Sequence, residues 1–483
     1  MKRELILLSI IEGSAVMIAE LCGARLLAPV FGTSLYVWAS VMGITLAALA
    51  AGYYYGGHCV YIKKDIYSQL RKLLALSALA LALMPLIAVW LLPQLSVLPF
   101  KVGVVFSSIL VLAPAVFLLG STSPLFVEAQ VQSGTAAGKV SGTVYAVSTL
   151  GGIFSTFLAA FWLLPQLGLQ LSLLSIALIL FVTSAIILKL SNYLYYVLLL
   201  ACLTLHVMLY KTRAKLLYFS DGVLGQVAVV EKNENSSTMR YLLVNKIIQT
   251  ELNCNTKQTT AAYLHLFDTL IETAKGSKSA LVLGLGGGAN ANTLFKKGYK
   301  TTAVEFDERI AQTAKDFFFL HDSISVELKD ARHFITGSTQ NFDIIIADLY
   351  KAEEQPAHLF TIESLLAIKH KLKPHGRFYV SWHGYLQTDK GKGTRVLLNT
   401  LLAAGFKLRL HSSGGDENTR NLIIEAVEND FAATSDYMSV AMPKIEEKQI
   451  NTDDNLCLET YNAAANESWR SLYISYYRQN SFY

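Results

Sequence analysis

Seven apolar stretches crowd the first 210 residues, near 5–28, 35–57, 73–95, 102–127, 140–164, 168–188 and 193–210. A helix needs about 20 such residues to cross the hydrocarbon core of a bilayer. Helices are also one of the few structures that satisfy their own backbone in lipid. The pattern predicts an α-helical, multi-span membrane domain of about seven helices over 1–215. Charge agrees: charged side chains are sparse up to residue 210, and an ordinary soluble balance follows. At 483 residues and 53% hydrophobic, the chain is too long for one compact domain and too apolar for an ordinary soluble one.

Within the apolar half, Gly52, Gly56 and Gly57 share one stretch, and Gly142, Gly151 and Gly152 another. Glycine lets helices approach closely in lipid, so these predict tight packing. Glu12, Glu20 and Arg25 lie in or beside the first span, where ionisable groups are costly. Two readings stand: a polar path for a substrate, or pairing inside the bundle and at its ends. Lys63, Lys64, Arg71 and Lys72, and then Lys211, Arg213 and Lys215, read as membrane-flanking anchors. Both groups belong on the cytoplasmic side, yet five spans between them would separate them. The short, His206-containing stretch at 193–210 is the candidate for not crossing.

The net charge of +5 comes without an aromatic-interleaved basic stripe, so no nucleic-acid partner is expected. Cys22, Cys59, Cys202, Cys254 and Cys457 form no CxxC pair, and the histidines have no metal-ligand spacing. No disulfide framework and no metal are expected. Glu12 interrupts the N-terminal apolar run, which argues against a cleaved signal peptide.

After Lys215 the periodicity changes. The runs 225-GQVAVVEK-232 and 240-RYLLVNKIIQT-250 predict a β-hairpin subdomain over 216–258. Residues 259–275 carry helical apolar spacing. Strands then fit near 280–285, 301–305, 324–328, 342–347 and 376–381, with helices around 289–297, 307–319, 330–336 and 360–371. Such alternation predicts a doubly wound, Rossmann-like α/β domain over 259–430, followed by a C-terminal extension at 431–483. That extension, with YNAAANESWRSLYISYYRQNSFY, fits packing on the sheet, a partner subunit or the membrane surface.

Polar candidates fall at successive strand ends, where ligands bind in such sheets. Gly284, Gly286, Gly287 and Gly288 form a turn ahead of a helix whose free N–H groups face the same space. Glu305, in 304-VEFD-307, suits ribose hydroxyls, with Asp307 starting the next helix. Asp330 suits either an adenine amino group or a helix cap, and Asp348 follows the buried run FDIIIA. NAD fits the first two features. Asp330 and Asp348 fit an adenosyl-sulfonium donor better.

These residues carry a resemblance. Residues 217–385 are similar to the spermidine synthase (aminopropyltransferase) family. The match includes Gln226 in GQVAVVE, Gln249 in VNKIIQT, Tyr263, the LGGG turn, Glu305, Asp330, Asp348 and the PAHLFTIESL segment. The runs 20-ELCGARLLAPVFGTSLYVW-38 and 141-SGTVYAVSTLGG-152 resemble the multi-span part of membrane-fused bacterial spermidine synthase-like proteins. The resemblance implies a class I S-adenosylmethionine-dependent transferase fold and polyamine biosynthesis. Its donor would be S-adenosylmethionine or the decarboxylated form, and its acceptor an amine. It implies that Gln226 and Gln249 flank the nucleoside and its tail, that Glu305 holds the ribose and Asp330 the adenine, and that Tyr263 meets the substrate. Asp348 would be the general base, because a protonated amine has no lone pair to attack with. A homodimer through the soluble part is also implied. So is an integral protein of the bacterial inner membrane, in contact with lipid, with its transferase part on the cytoplasmic face where adenosyl donors are made.

The chain departs from the family's pattern at two positions. Ala289, in 286-GGGANA-291, replaces the acid that holds the aminopropyl amine, and Lys351, in 348-DLYK-351, replaces a second acid. An ammonium about 4 Å from a diamine, at an effective dielectric near 20, would repel it by about 4 kcal/mol. Leu264 stands where a histidine often follows the family's tyrosine. Three readings follow: an aminopropyltransferase, a methyltransferase on a non-diamine acceptor that Lys351 would suit if anionic, and a polyamine transporter or sensor without catalysis.

Overall fold

The computed structural model describes residues 3–32, 34–62, 65–131, 136–190, 192–209, 215–222, 224–234, 237–350, 354–429, 431 and 438–480. The chain forms two compact units: Met1–Thr212 with Ser220–Gly225, and Arg213–Phe219 with Gln226–Tyr483.

The first unit is helical. It contains α1 (Arg3–Phe31), α2 (Leu35–Tyr61), α3 (Ile66–Leu95), α4 (Phe100–Val111), α5 (Ala113–Gly120), α6 (Thr122–Val131), α7 (Ala137–Leu158), α8 (Leu164–Leu188) and α9 (Tyr193–Leu209), with a π-helical turn, Ala159–Leu163, between α7 and α8. Among the described residues, four runs are long and apolar enough to cross a membrane: Arg3–Phe31, Leu35–Tyr61, Ile66–Leu95 and Ala137–Leu188. A fifth is the pair Phe100–Val111 and Ala113–Val131, bent by 46°. The stretch at 102–127 breaks where Pro114 removes a backbone donor and crowds the preceding turn. The stretches at 140–164 and 168–188 are two helical segments that meet at Gly168, where the backbone leaves helical geometry (φ 74, ψ 174). The last, α9, is shorter than each of the four long runs.

Close approach explains several of the glycines. A Cβ on Gly13 would sit under 3.0 Å from the Ser148 oxygen, and one on Gly151 under 3.0 Å from the Ile10 oxygen, so α1 and α7 pack nearly backbone to backbone. Gly52 and Gly56 meet α5 and α6 in the same way, whereas Gly57 and Gly142 face open space. Glu12, 2% exposed, accepts hydrogen bonds from Ser148 Oγ (3.0 Å) and Ser123 Oγ (3.4 Å). Arg25 pairs with Asp221 at 3.9 Å and donates to the Gly222 oxygen. These two groups are therefore held by partners within the unit. Of the basic anchors, Lys63, Lys64, Lys211 and Arg213 lie outside the described residues. Gly13→Leu is expected to wedge α1 from α7 and to cost about 1–3 kcal/mol. The check is the thermal midpoint of the protein in detergent, with Gly57→Leu, which meets open space, as the unaffected control.

Apart from Ser220–Gly225, which belong to the first unit, the second unit begins with a five-stranded sheet in the order β1–β2–β3–β4–β5: β1 (Lys215–Gly222), β2 (Gly225–Glu234), β3 (Ser237–Val244), β4 (Ile247–Asn253) and β5 (Gln258–Thr259). The run 240–250 is therefore not one strand. Asn245 (φ 48) and Lys246 (φ 66) both adopt the left-handed backbone that a two-residue hairpin turn requires. A β-bulge follows: Leu242 pairs with Thr250 and Leu243 with Ile248, so the register skips Gln249.

Helix α10 (Ala262–Leu270) is shorter than its apolar spacing suggests. Ile271 leaves the helix in extended backbone (φ −87, ψ 117) and buries its side chain. The α/β alternation then runs β6 (Lys278–Leu283), α11 (Ala289–Lys296), β7 (Tyr299–Glu305), α12 (Glu308–Phe317), β8 (Ser325–Leu328), α13 (Ala331–Gly337), β9 (Phe342–Ala347), α14 (Ile362–His370), β10 (Leu372–His383), α15 (Lys392–Ala403), β11 (Lys407–Ser412), β12 (Asn421–Val427) and β13 (Ser439–Val440). The sheet order is β13–β11–β12–β10–β9–β6–β7–β8, parallel from β10 to β8 and antiparallel beyond β10. This is a Rossmann-like fold. Leu281, Leu283, Ile345, Phe378 and Val380 feed one buried layer, while Ala280, Val282, Ile344, Ile346 and Tyr379 feed the other. Both faces are covered, and for that reason these strands read as continuous apolar runs.

Helix α16 (Cys457–Asn480) answers where the C-terminal extension goes. It packs against α15, the short turn Ala357–Leu359 and β4. Its Asn462, Asn466 and Ser468 bond to Gln355, His383 and Tyr385.

Candidate functional site

From β6 the chain goes outward to β7 and β8, whereas β9 and β10 lie on its other side. The strand ends therefore diverge around β6 and leave a crevice there, the usual ligand position in such sheets. The glycine turn sits at this point. Gly284 (φ +87), Gly286 (φ +52) and Gly288 (φ +82) adopt backbone that other residues enter only with strain, and α11 starts directly behind them.

The two strands beside β6 carry the acids. The Gly284 N–H donates to the Val304 oxygen on β7 (2.9 Å), and the Asp348 N–H to the Leu283 oxygen (3.0 Å). Glu305 ends β7, and its carboxylate accepts from the backbone N–H groups of Leu285 (3.1 Å), Phe306 (2.8 Å) and Asp307 (2.9 Å). Burial still pushes its carboxyl above the usual carboxylate range, against those hydrogen bonds.

Asp348 follows β9 on the opposite side of the turn. Its Oδ2 accepts from Asn290 Nδ2 (2.9 Å) and from the Tyr263 hydroxyl (3.3 Å). The residue keeps some exposed surface, but its carboxyl is enclosed. That burial raises its pKa from 3.8 to about 6, with the neighbouring Ser381, Tyr263 and Asn290 side chains opposing the shift. A carboxyl poised there can exchange a proton near neutral pH.

Thus the glycine turn, Glu305, Tyr263 and Asp348 meet at one rim. Asp330 lies one strand further out, beyond the Glu305–Leu328 pair. It caps α13 by accepting from the His333 N–H (2.9 Å), and His358 Nε2 lies 3.7 Å from its Oδ2. Gln226 bonds through its backbone to Asn245 in the β3–β4 turn (3.1 and 2.9 Å). Gln249 occupies the bulge, with Nε2 3.4 Å from the Ile248 oxygen. Lys351 lies outside the described residues.

Two residues at the rim escape sequence reasoning. Asn290, 6% exposed, holds Asp348; a polar residue entering a buried helix right after a glycine turn was the available signal. Thr250 accepts the Gly287 N–H at 2.8 Å and ties the small sheet to the turn. Nothing in its own surroundings marks it. Among the described residues no group of three His, Cys, Asp or Glu side chains is placed to hold a metal.

Comparison with known proteins adds the following. Residues 265–386 match the family model of the spermine/spermidine synthase domain. An "N-terminal histidine N-methyltransferase" of Emericella nidulans is 31% identical over 126 residues, 24% of this chain and 23% of that protein. A "Probable polyamine aminopropyl transferase" of Bifidobacterium longum is 28% identical over 131 residues, 26% of this chain and 29% of that one. The chain thus spans between 23% and 29% of the length of these curated relatives. A spermidine synthase structure from Thermotoga maritima aligns with 52% of this chain and 88% of its own, at 15% identity and a TM-score of 0.34. The matched domain at 265–386, which contains the glycine turn, Glu305, Asp330 and Asp348, is thus similar to the spermine/spermidine synthase domain.

Proposed function

We propose that this chain is a membrane-anchored transferase that uses an adenosyl-sulfonium donor, decarboxylated S-adenosylmethionine or S-adenosylmethionine, to aminopropylate an amine in polyamine biosynthesis. The observation that carries this reading is the junction of the glycine turn with Glu305 on one side and Asp348 on the other. The glycine turn and the start of α11 take the nucleoside, Glu305 its ribose and Asp330 its adenine, with Gln226 and Gln249 reaching from the small sheet. Tyr263 and Asn290 fix the Asp348 carboxylate. Asp348 removes the proton from the acceptor ammonium, and the freed nitrogen lone pair attacks the carbon next to sulfur. The C–N bond forms, the C–S bond breaks, and its electrons neutralise the sulfonium to a thioether. Lys351 would meet the acceptor. The four long apolar runs among the described residues support anchoring in a membrane; the transferase part would work on the cytoplasmic side, where adenosyl donors are made.

A methyltransferase is the second reading. Ala289 starts α11 with no charge to offer an aminopropyl amine, and one curated relative is a methyltransferase. Titration calorimetry of the full chain in detergent separates the two: preference for the decarboxylated donor supports aminopropyl transfer, and preference for the intact donor supports methyl transfer. Binding of neither sinks both and leaves a transport or sensing protein.

Glu305→Gln tests the ribose contact. A hydrogen bond to a charged acceptor contributes about 1.5–3 kcal/mol, so donor affinity should fall about 10- to 100-fold. The saturating rate should change little. An unchanged donor Kd removes Glu305 from the site.

A further inference from the structure

We propose that the reacting nitrogen of the acceptor sits between the Oδ1 oxygen of Asp348 and the hydroxyl of Ser381, which makes Ser381 a further catalytic residue. The proposal rests on the transferase reading above and adds the seat of the nucleophile. Strand β10 runs through Phe378, Tyr379, Val380, Ser381 and Trp382, all buried, so a serine interrupts an apolar run. Val380 pairs with Ala347, the last residue of β9, and Ser381 therefore stands beside Asp348. Side chains alternate along a strand. Tyr379 faces α10, where its ring lies 6.1 Å from that of Phe267, and Phe267 lies 6.3 Å from Tyr263. Trp382 faces the opposite layer, 5.3 Å from the Phe360 ring. Ser381 thus shares the face of Tyr379 and α10, from which the Tyr263 hydroxyl reaches Asp348.

Two polar groups are left open at this point. Asn290 and Tyr263 both donate to Oδ2 of Asp348, and Oδ1 receives no bond from either. Ser381 is 2% exposed, and its Oγ is buried without a hydrogen-bond partner. Its hydroxyl is the neighbour that most opposes the rise in the Asp348 pKa, so it faces that carboxyl at the edge of hydrogen-bond reach. A buried hydroxyl left open in this way costs stability and marks a place for a ligand or water. An ammonium fits the gap, because Oδ1 and Oγ can each accept one of its N–H groups. Asp348 removes the first proton, while Ser381 keeps hold of a second N–H. That hold fixes the rotation of the nitrogen, so the freed lone pair is presented in one direction. After the C–N bond forms and the C–S electrons return to sulfur, the nitrogen is again an ammonium, and Asp348 passes its proton to solvent.

The test uses the full chain in detergent with the donor that calorimetry selects in excess and butane-1,4-diamine as acceptor, read by mass spectrometry. Ser381→Ala should lower kcat/KM for the diamine about 10- to 100-fold, the worth of one hydrogen bond to a charged group. Donor Kd should stay within about twofold, since the donor features lie along β6, β7 and β8. The thermal midpoint should not fall, because the hydroxyl removed has no partner in the fold. Normal kcat/KM in Ser381→Ala overturns the proposal and leaves a serine that holds water only. A variant that loses donor affinity as much as transfer, or whose thermal midpoint drops along with its rate, overturns it too, because either marks a structural role. If Ser381→Ala does not fold, Ser381→Cys carries the comparison: its thiol is close in size and a weak acceptor, and unchanged kcat/KM overturns the proposal. A wild type that binds no donor, or transfers nothing to the diamine, overturns the transferase reading itself and the seat with it, a separate result.

Discussion

Asp348→Asn is expected to lower transfer about 10²- to 10⁴-fold, the usual contribution of a positioned general base, and to leave donor affinity within about twofold. The amide can still accept the hydrogen bonds from Asn290 and Tyr263 that now reach Oδ2. The fold around the site should persist, and only the capacity to take a proton disappears. Single-turnover kinetics with donor bound provide the check, and unchanged turnover would end the role of Asp348 as base. The pH profile is a linked test. Below a pKa of about 6 the carboxyl already holds its proton, so kcat/KM should rise with pH through about 6 and then level off. The residual activity of Asp348→Asn should lack that inflection. Donor binding adds a positive charge nearby, which favours the carboxylate, so the inflection in kcat should fall below that in kcat/KM. Stability runs the other way. The folded chain holds this proton more tightly than the usual 3.8, so the contribution of Asp348 is lost as pH climbs from 3.8 to about 6.

Gly284→Ala should be nearly as damaging, by a different route. Gly284 has φ +87, where a Cβ costs roughly 1–2 kcal/mol. That Cβ would also fall under 3.0 Å from the Asp348 backbone oxygen, a rigid obstacle. Either the glycine turn or the end of β9 has to move. A displacement of about 1 Å of a reacting group costs about 10²-fold in rate. Gly284→Ala should therefore lose about 10²-fold in transfer as well as donor affinity, with a thermal midpoint lowered by the backbone strain. Normal kinetics in a folded Gly284→Ala protein would show that the turn and Asp348 do not work as a unit.

How much of this is legible in the chain can be judged element by element. The run 342-FDIIIAD-348 announces a buried strand with an acid at its exit, and β9 covers Phe342–Ala347. The acids at 307 and 330 sit before helical spacing, and both side chains accept a backbone N–H at the start of a helix. Other features were out of reach. The Asn245–Lys246 turn interrupts a β-rich run because both residues take left-handed backbone, and neither is glycine. The helical stretch around 102–127 reads as continuous by hydropathy, since hydropathy is insensitive to the backbone donor that Pro114 lacks. Asn290, Thr250 and the amides of α16 take their meaning from partners 37 to 107 residues away, which no local pattern encodes.

The sequence alone determined the kinds of element, their order, and which residues stand at strand exits, because hydrophobic period and turn chemistry act over a few neighbouring residues. Tertiary structure decided which exits are neighbours. The chain places β9 against β6 rather than beyond β8, and this choice brings Asp348 to the glycine turn opposite Glu305. It depends on how the crossover helices bury both faces of the sheet, a packing problem settled only when the whole unit folds.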